Sequence, residues 1–373
     1  MNKLILINQS TGYLTIDTIN AFATKYNEVV LVAGSICVAE RELVENVKIK
    51  RIISYDKSSA LKRIFTWIVG FIQIFCLLVF KYGKYEVVYV TNPPISYLAS
   101  LILRNPFSII VYDTYPDALR NIGIKQGHWL YNLWSKWNRK LFKKAKCIYT
   151  LSEGMADQLS TYVNREYIKV VPLWPASESF TPIEKEYNPF VKKHGLQDKF
   201  VVLYSGNMGY THNVETLIEV AGILKNENNI HFLLIGNGKK KSELVRLAEE
   251  KQLDNCTFMD YQAFDVLPYS LASADLGVVT LNEETALTSV PSKTFNLLAV
   301  GAPLLCIAPQ RSEIAMIVKK YNNGLVCPST EPQKIADYIV LLANDKQKQH
   351  SMFLNSLKAA KEYTKENAFL FIK

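Results

Sequence analysis

None of the six cysteines is spaced Cys-x-x-Cys, and they lie scattered between Cys37 and Cys327. Such thiols form no redox or metal pair and suit a reducing, cytosolic compartment. The chain also lacks His-x-x-x-His and Asp-x-Asp. No metal or other cofactor is therefore expected, and any bound diphosphate has to be neutralised by Lys, Arg and helix N-termini. No G-x-x-x-x-G-K-[ST] occurs, which argues against a P-loop NTPase. Gly236-Asn-Gly238 opens a dinucleotide signature, but Lys241 stands where the third glycine is required. The first apolar run, LILI (4–7), stops at Asn8 and is too short for a signal-peptide core, so none is expected.

What is present is an unevenly charged chain of 373 residues, long enough for two domains. Residues 1–180 hold 22 Lys/Arg against 13 Asp/Glu, whereas residues 181–373 hold 21 of each. The whole basic excess lies in the first part, which points to a polyanion or an anionic membrane as partner. No nucleic-acid reading module accompanies it, so no nucleic acid is expected.

Short apolar runs alternate with helical stretches. The strand candidates are 4–7, 29–33, 87–90, 108–112 and 147–151, then 200–204, 231–235, 256–259, 276–281 and 303–307. They are rich in Val and Ile and lack period-two polarity, as buried parallel strands do. Pro172, Pro175, Pro182 and Pro189 break the pattern once. The spacing predicts an α/β protein of two Rossmann-like domains facing a cleft, over 1–180 and 199–354, with a linker at 181–198. Ligands of such sheets sit at the carboxyl ends of the strands.

Three loops there could receive phosphate: NQSTGY (8–13), with Ser10, Thr11 and Gly12; SGNMG (205–209), with Gly206, Asn207 and Gly209; and the turn at Gly236. Small residues also make plain αβ turns, so each loop alone has two readings. The stretch SVPSKTFNLLAVGAPLLC (289–306) adds a helix beginning at Ser292, Lys293 and Thr294. That lysine is either a solvated side chain or an anion ligand.

Two segments suit a membrane surface. Residues 64–80 carry no charge for 17 positions and are flanked by Lys62, Arg63, Lys81 and Lys84. The segment is a core helix or dips into one leaflet with Trp67, Phe71 and Phe75. Spanning is not expected, because strands before and after it share one sheet. Residues 128–146 form an aromatic, basic helix with Trp134, Trp137, Lys140, Lys143 and Lys144. The alternative is an ordinary domain helix with a solvated basic face.

The pieces YSGNMGYTHNVETLIEVAGIL (204–224), HFLLIGNGKKKSELVRLAEE (231–250), VLPYSLASADLGVV (266–279) and PSKTFNLLAVGAPLLC (291–306) resemble the family 4 glycosyltransferases of the GT-B fold. VVYVTNPPISYLASLIL (87–103), VYDTYPDAL (111–119) and CIYTLSEGMADQL (147–159) are similar to the branch that makes bacterial surface polysaccharides. The resemblance implies transfer of a hexosyl or N-acetylhexosaminyl group, with retention, from a nucleotide-sugar donor, UDP-sugar first. It implies a lipid-linked (polyprenyl diphosphate) glycan acceptor in capsule, O-antigen or exopolysaccharide assembly. The enzyme would sit peripherally on the cytoplasmic face of the bacterial inner membrane. The acceptor belongs to the N-terminal domain, the donor to the C-terminal one, and a last helix over 355–373 crosses back to the first domain. Donor ligands would be Gly206, Asn207, Gly209, Gly236, Ser292, Lys293, Thr294 and Asn296, with Lys293 on the leaving diphosphate. Asp113 stands where relatives often place a cleft-facing His and would act on the acceptor hydroxyl; Asp117 is its alternative. The family's Glu-x7-Glu pair is replaced here by Thr288 and Asn296, and Asn207 replaces a usual basic residue. Two other readings remain: a GT-B nucleotide-sugar epimerase, and a non-catalytic subunit of a polysaccharide assembly complex.

Overall fold

In the computed structural model the described residues are 2–38, 40–122, 124–210 and 212–372. Met1 and Lys373, the expected ends of the first domain and of the last helix, lie outside them, as do Ala39, Gly123 and Thr211. The chain divides into two units, Met1–Leu173 with Lys365–Lys373, and Trp174–Thr364.

The apolar runs of the first unit become β1 (Lys3–Ile7), β2 (Glu28–Ala33), β3 (Val47–Arg51), β4 (Glu86–Val90), β5 (Phe107–Val111), β6 (Ile148–Thr150) and β7 (Ile168–Val170). They form one parallel sheet in the order β3-β2-β1-β4-β5-β6-β7. In the second unit β8 (Phe200–Ser205), β9 (Ile230–Ile235), β10 (Cys256–Met259), β11 (Leu276–Thr280), β12 (Leu304–Ile307) and β13 (Gly324–Cys327) pair in parallel as β10-β9-β8-β11-β12-β13. Both are doubly wound sheets, each with a switch point where the order reverses, between β1 and β4 and between β8 and β11. The central strands are sealed: Leu4 to Ile7 and Val201 to Tyr204 are at most 1% exposed. Within these two sheets, three strands absent from the apolar-run reading, β3, β7 and β13, lie at sheet edges. β3, VKIKR, buries only Val47, because an edge strand can keep its charges in water.

The expected linker 181–198 belongs to the second unit. Asn188 caps the short helix Pro189–Lys193 by accepting from the N–H groups of Phe190 and Val191, and both of those side chains are buried. Lys185 pairs with Asp275 on the loop leading into β11. The tail joins the first unit only from Lys365, not from 355. Helix Lys346–Ala360 belongs to the second unit, where Ser356 donates to the carbonyl of Ala302. The final turn Lys365–Ile372 packs on helix Tyr13–Ala23, and the Tyr149 hydroxyl donates to the Phe371 carbonyl at 2.8 Å.

The uncharged segment lies within a 21-residue helix, Ala60–Phe80, the one among the described residues long and apolar enough to cross a membrane. It connects β3 to β4 of the same sheet, so it serves as a crossover. Only Thr66, Gly70, Ile74 and Leu78, one stripe at four-residue spacing, are buried. Gly70 admits the Gln9 side chain, whose Nε2 donates to the Thr66 carbonyl at 2.8 Å; a Cβ at position 70 would stand 2.8 Å from that nitrogen. The opposite face is apolar and open to water: Leu61, Ile64, Phe65, Ile68 and Ile72 are 48–81% exposed. Trp67, Phe71 and Phe75 are only half-buried, and they are not the outermost residues.

Helix Trp129–Phe142 turns Trp134 inward, which removes it from any membrane surface. Its ring is buried, stacks on Tyr115 at 5.4 Å, and its Nε1 donates to the Tyr97 hydroxyl at 2.7 Å. A buried indole needs such a partner, and this one fixes the helix to the unit's core. Trp137 is half-buried, and Lys140, Lys143 and Lys144 remain exposed.

Candidate functional site

Each switch point carries a cluster of chemistry-bearing residues. In the second unit the chain leaves β8 at Gly206, with φ of +157°, and its N–H donates to the Ile235 carbonyl at 2.9 Å. β9 ends at Gly236, with φ of +147°; a Cβ there would lie 1.9 Å from the Gly206 carbonyl oxygen. Two backbones thus pass in contact, which only glycine permits. The Tyr204 hydroxyl donates to the Asn207 carbonyl at 2.6 Å, and the Met208 N–H to the Asn237 carbonyl, so the loop is held from both sides.

Helix Lys293–Ala299 begins beside this loop without a side-chain cap at Ser292, which is exposed. The N–H groups of Thr294 and Phe295 close onto the carbonyls of Pro291 and Ser292, so they are not free for an anion. The Lys293 side chain, by contrast, reaches the loop. Its Nζ lies 3.9 Å from the centroid of the Tyr204 ring, and a Cβ at Gly206 would be 2.8 Å from it. The stem of the side chain is partly open, but the amine is sealed from solvent and has no hydrogen-bond partner. Desolvation lowers its pKa to about 7. The Thr294 hydroxyl is also buried and unpartnered. His212 Nδ1 lies 3.2 Å from the Thr280 carbonyl, and its pKa is lowered by burial and by the charges of Lys293 and Lys240. Lys240 is committed to Glu215 and the His212 carbonyl.

Of the expected donor ligands, Gly206, Asn207, Gly209, Gly236, Lys293 and Thr294 lie on or beside this loop cluster. Gly209 packs on Asn207: a Cβ there would lie 2.8 Å from the Asn207 amide nitrogen. Asn296 is engaged elsewhere. Its Oδ1 accepts the Ala176 N–H at 3.0 Å, tying down the segment that follows the unit boundary.

In the first unit a cavity of about 520 Å³ opens at the switch point. Asn8, Ser10 and Gly12 line it after β1, Thr91 and Asn92 after β4, and Asp113 after β5. The space in front of Gly12 is open, with no atom within 4 Å of a built Cβ. Thr11 turns inward instead, donating to the Asn8 carbonyl at 3.1 Å. The Asp113 carboxyl is reached by solvent through the cavity while protein surrounds its other sides, and this desolvation raises its pKa. It has no cation partner among the described residues. Asp117, its alternative, accepts from the hydroxyls of Tyr131 (2.6 Å) and Tyr162 (2.8 Å) and pairs with Arg120 at 2.9 Å. That buried carboxylate is fully used in holding the fold. Sequence reasoning missed Tyr55, Lys57, Arg63 and Tyr115 as cavity residues, and read Trp67, which lines the same wall, as lipid-facing. The one signal for Tyr55, Lys57 and Arg63 was the aromatic and basic stretch just before the uncharged segment; Tyr115 had none.

The family described as Glycosyl transferases group 1 matches residues 187–359. A protein of Pseudomonas aeruginosa named a probable glycosyltransferase, WbjE, is 26% identical over 260 residues, 67% of this chain and 64% of its own length. WcaI of Escherichia coli K12, named provisionally as a colanic acid biosynthesis glycosyl transferase, is 27% identical over 60% of this chain and 56% of its own length. The match therefore spans less than two thirds of either relative. The solved structure of Anabaena HepE in complex with UDP and glucose superimposes with a TM-score of 0.73 at 15% identity, over 100% of this chain and 98% of that one.

Proposed function

The chain carries a glycosyl transferases group 1 domain in a GT-B fold, and from that premise we propose that it transfers a sugar, with retention, from a nucleotide sugar to a lipid-linked glycan in surface-polysaccharide assembly. The second unit takes the donor, a UDP-sugar first; the first unit takes the acceptor. The observation that carries this is the Lys293 amine: buried, unpartnered, and packed against the glycine loop at the β8–β11 switch point. A sealed amine without a counter-charge is costly unless an anion completes it. A leaving nucleoside diphosphate is such an anion, and a fixed cation aimed at its developing charge lowers the barrier. HepE with UDP supports this choice of donor, and the name of WcaI supports the polysaccharide context.

On the acceptor side, Asp113 orients or deprotonates the attacking hydroxyl. The exposed apolar face of helix Ala60–Phe80 and the exposed Lys140, Lys143 and Lys144 support peripheral binding to the cytoplasmic leaflet of a bacterial inner membrane. No metal is required in this scheme. The test is incubation of the purified chain with UDP-, GDP- and dTDP-sugars and a polyprenyl-diphosphate glycan. Free nucleotide together with an elongated lipid is expected. Free nucleotide with only free sugar indicates an epimerase-type enzyme, and binding without turnover indicates a non-catalytic subunit; either contradicts the proposal.

A further inference from the structure

The cavity of the first unit holds more than a bare sugar needs. One wall is a run of rings: Tyr55 stacks on Trp67 at 5.8 Å and 13°, and Trp67 meets Tyr115 edge-on at 6.4 Å. Tyr115 is backed by the buried Trp134, which is hydrogen-bonded through Tyr97 to Asn138. Asn138 in turn donates to the Tyr115 carbonyl at 2.6 Å. A platform anchored in this way is rigid, and flat aromatic faces suit the apolar face of a sugar ring.

Beside the rings lie polar donors with nothing to bind. Arg63 Nε and Trp67 Nε1 are sealed from solvent and have no hydrogen-bond partner. Arg63 forms no ion pair among the described residues, and its charge is felt by both Tyr55 and Tyr115. Lys57 also lines the cavity, with its amine over the Tyr55 ring at 5.6 Å. An adjoining groove of about 740 Å³ shares Tyr55 and Lys57 and continues to Phe65, which is 61% exposed and begins the apolar face of the long helix. Lys62 in that groove is held by Asp56 at 3.8 Å, so Lys57 and Arg63 are the cations left for a ligand.

We propose that this cavity and groove together bind the head of an isoprenoid-carried sugar: the rings take the sugar, Arg63 and Lys57 its phosphate, and the Phe65 groove the first isoprene units. This rests on reading the first unit as the acceptor side. It places the acceptor hydroxyl toward Asp113 and the lipid toward the exposed helix face. Guanidinium and ammonium groups beside an aromatic floor match a phosphate next to a sugar.

Calorimetry with farnesyl diphosphate, inorganic pyrophosphate, farnesol and octyl glucoside, below micelle concentrations, tests it without any nucleotide sugar. Farnesyl diphosphate should bind more tightly than pyrophosphate or farnesol. Arg63→Gln and Lys57→Gln should each weaken it about tenfold, the ordinary cost of one charge-assisted hydrogen bond, and leave octyl glucoside unchanged. Trp67→Leu should weaken octyl glucoside. Lys57 is exposed, so its variant keeps the fold. Equal binding of farnesyl diphosphate by wild type and Lys57→Gln and Arg63→Gln would overturn the assignment, as would pyrophosphate binding as tightly as farnesyl diphosphate. If farnesyl diphosphate binds as expected and no sugar is transferred, only the transferase reading fails. If transfer occurs and these ligands do not bind, only this inference fails.

Discussion

The Lys293 amine sits 3.9 Å above the Tyr204 ring and directly against Gly206, with no acceptor in reach. A cation over an aromatic face gains about 2 kcal/mol when desolvated, which is less than burying an ammonium costs. The position therefore costs the fold stability, which accords with the binding role proposed for it.

Stability should report this directly. The folded-state pKa of Lys293 is lowered from 10.5 to about 7. Between those values the unfolded chain binds a proton that the folded chain does not, so this group makes stability rise with pH from about 7 to 10.5. Lys293→Met lacks that dependence. Thermal denaturation across pH should find the variant more stable than wild type near pH 7, with the gap closing toward pH 10. A variant less stable at pH 7 would contradict the burial argument.

Activity should move the other way. Lys293→Met should transfer sugar about 10²–10³-fold more slowly, the usual loss for one preorganised donor to a developing anion. The measurement is kcat with saturating donor, beside a circular dichroism spectrum matching wild type.

Gly236→Ala should be far more damaging than its size suggests. Its Cβ would stand 1.9 Å from the Gly206 carbonyl oxygen at a φ of +147°. The loop must shift, and donor binding should be lost with a stability loss on the order of 3 kcal/mol, as strain of this kind costs. Chemical denaturation and nucleotide titration of the same preparation would check both.

Both sheets were legible in the sequence because strands buried on both faces read as continuous apolar runs, LILI and VVLVA among them. β3 was not, since an exposed edge lets VKIKR keep three cations. The place of Lys293 at a helix start was legible, whereas the use of Asn296 by Ala176 joins residues 120 apart and leaves no local sign. Helical periodicity identified the apolar stripe containing Trp134 but not whether it faces the core or a bilayer; Tyr97 and Tyr115 decide that. The cavity wall was illegible for the same reason, since Tyr55, Trp67 and Tyr115 meet only after the sheet is formed.

Asp113 should set the acidic limb of transfer. Desolvation by the cavity walls raises its pKa above the ordinary 3.8, and a base acts only when deprotonated. Activity should therefore fall as pH drops through that raised value. Asp113→Asn should lose about 10²–10⁴-fold and show no such limb. A variant with full activity would exclude the role.

The membrane face is open to a simple assay. Wild type should float with anionic vesicles. Ile68→Glu with Ile72→Glu should abolish flotation without changing the melting temperature, since both residues are 48–54% exposed. Lys143→Glu with Lys144→Glu should weaken it in a salt-dependent way. Absence of flotation in wild type at low salt would remove the membrane from the scheme.

The most direct test of the whole account is calorimetric titration of UDP, GDP and dTDP into wild type and Lys293→Met near pH 8, in two buffers of different ionisation heat. At that pH the empty site holds a neutral lysine, and a bound diphosphate should recharge it. The account predicts tight binding of one nucleotide with uptake of close to one proton, and in Lys293→Met about 100-fold weaker binding with no uptake. Equal affinity in the two proteins, or no binding of any of the three, would contradict it.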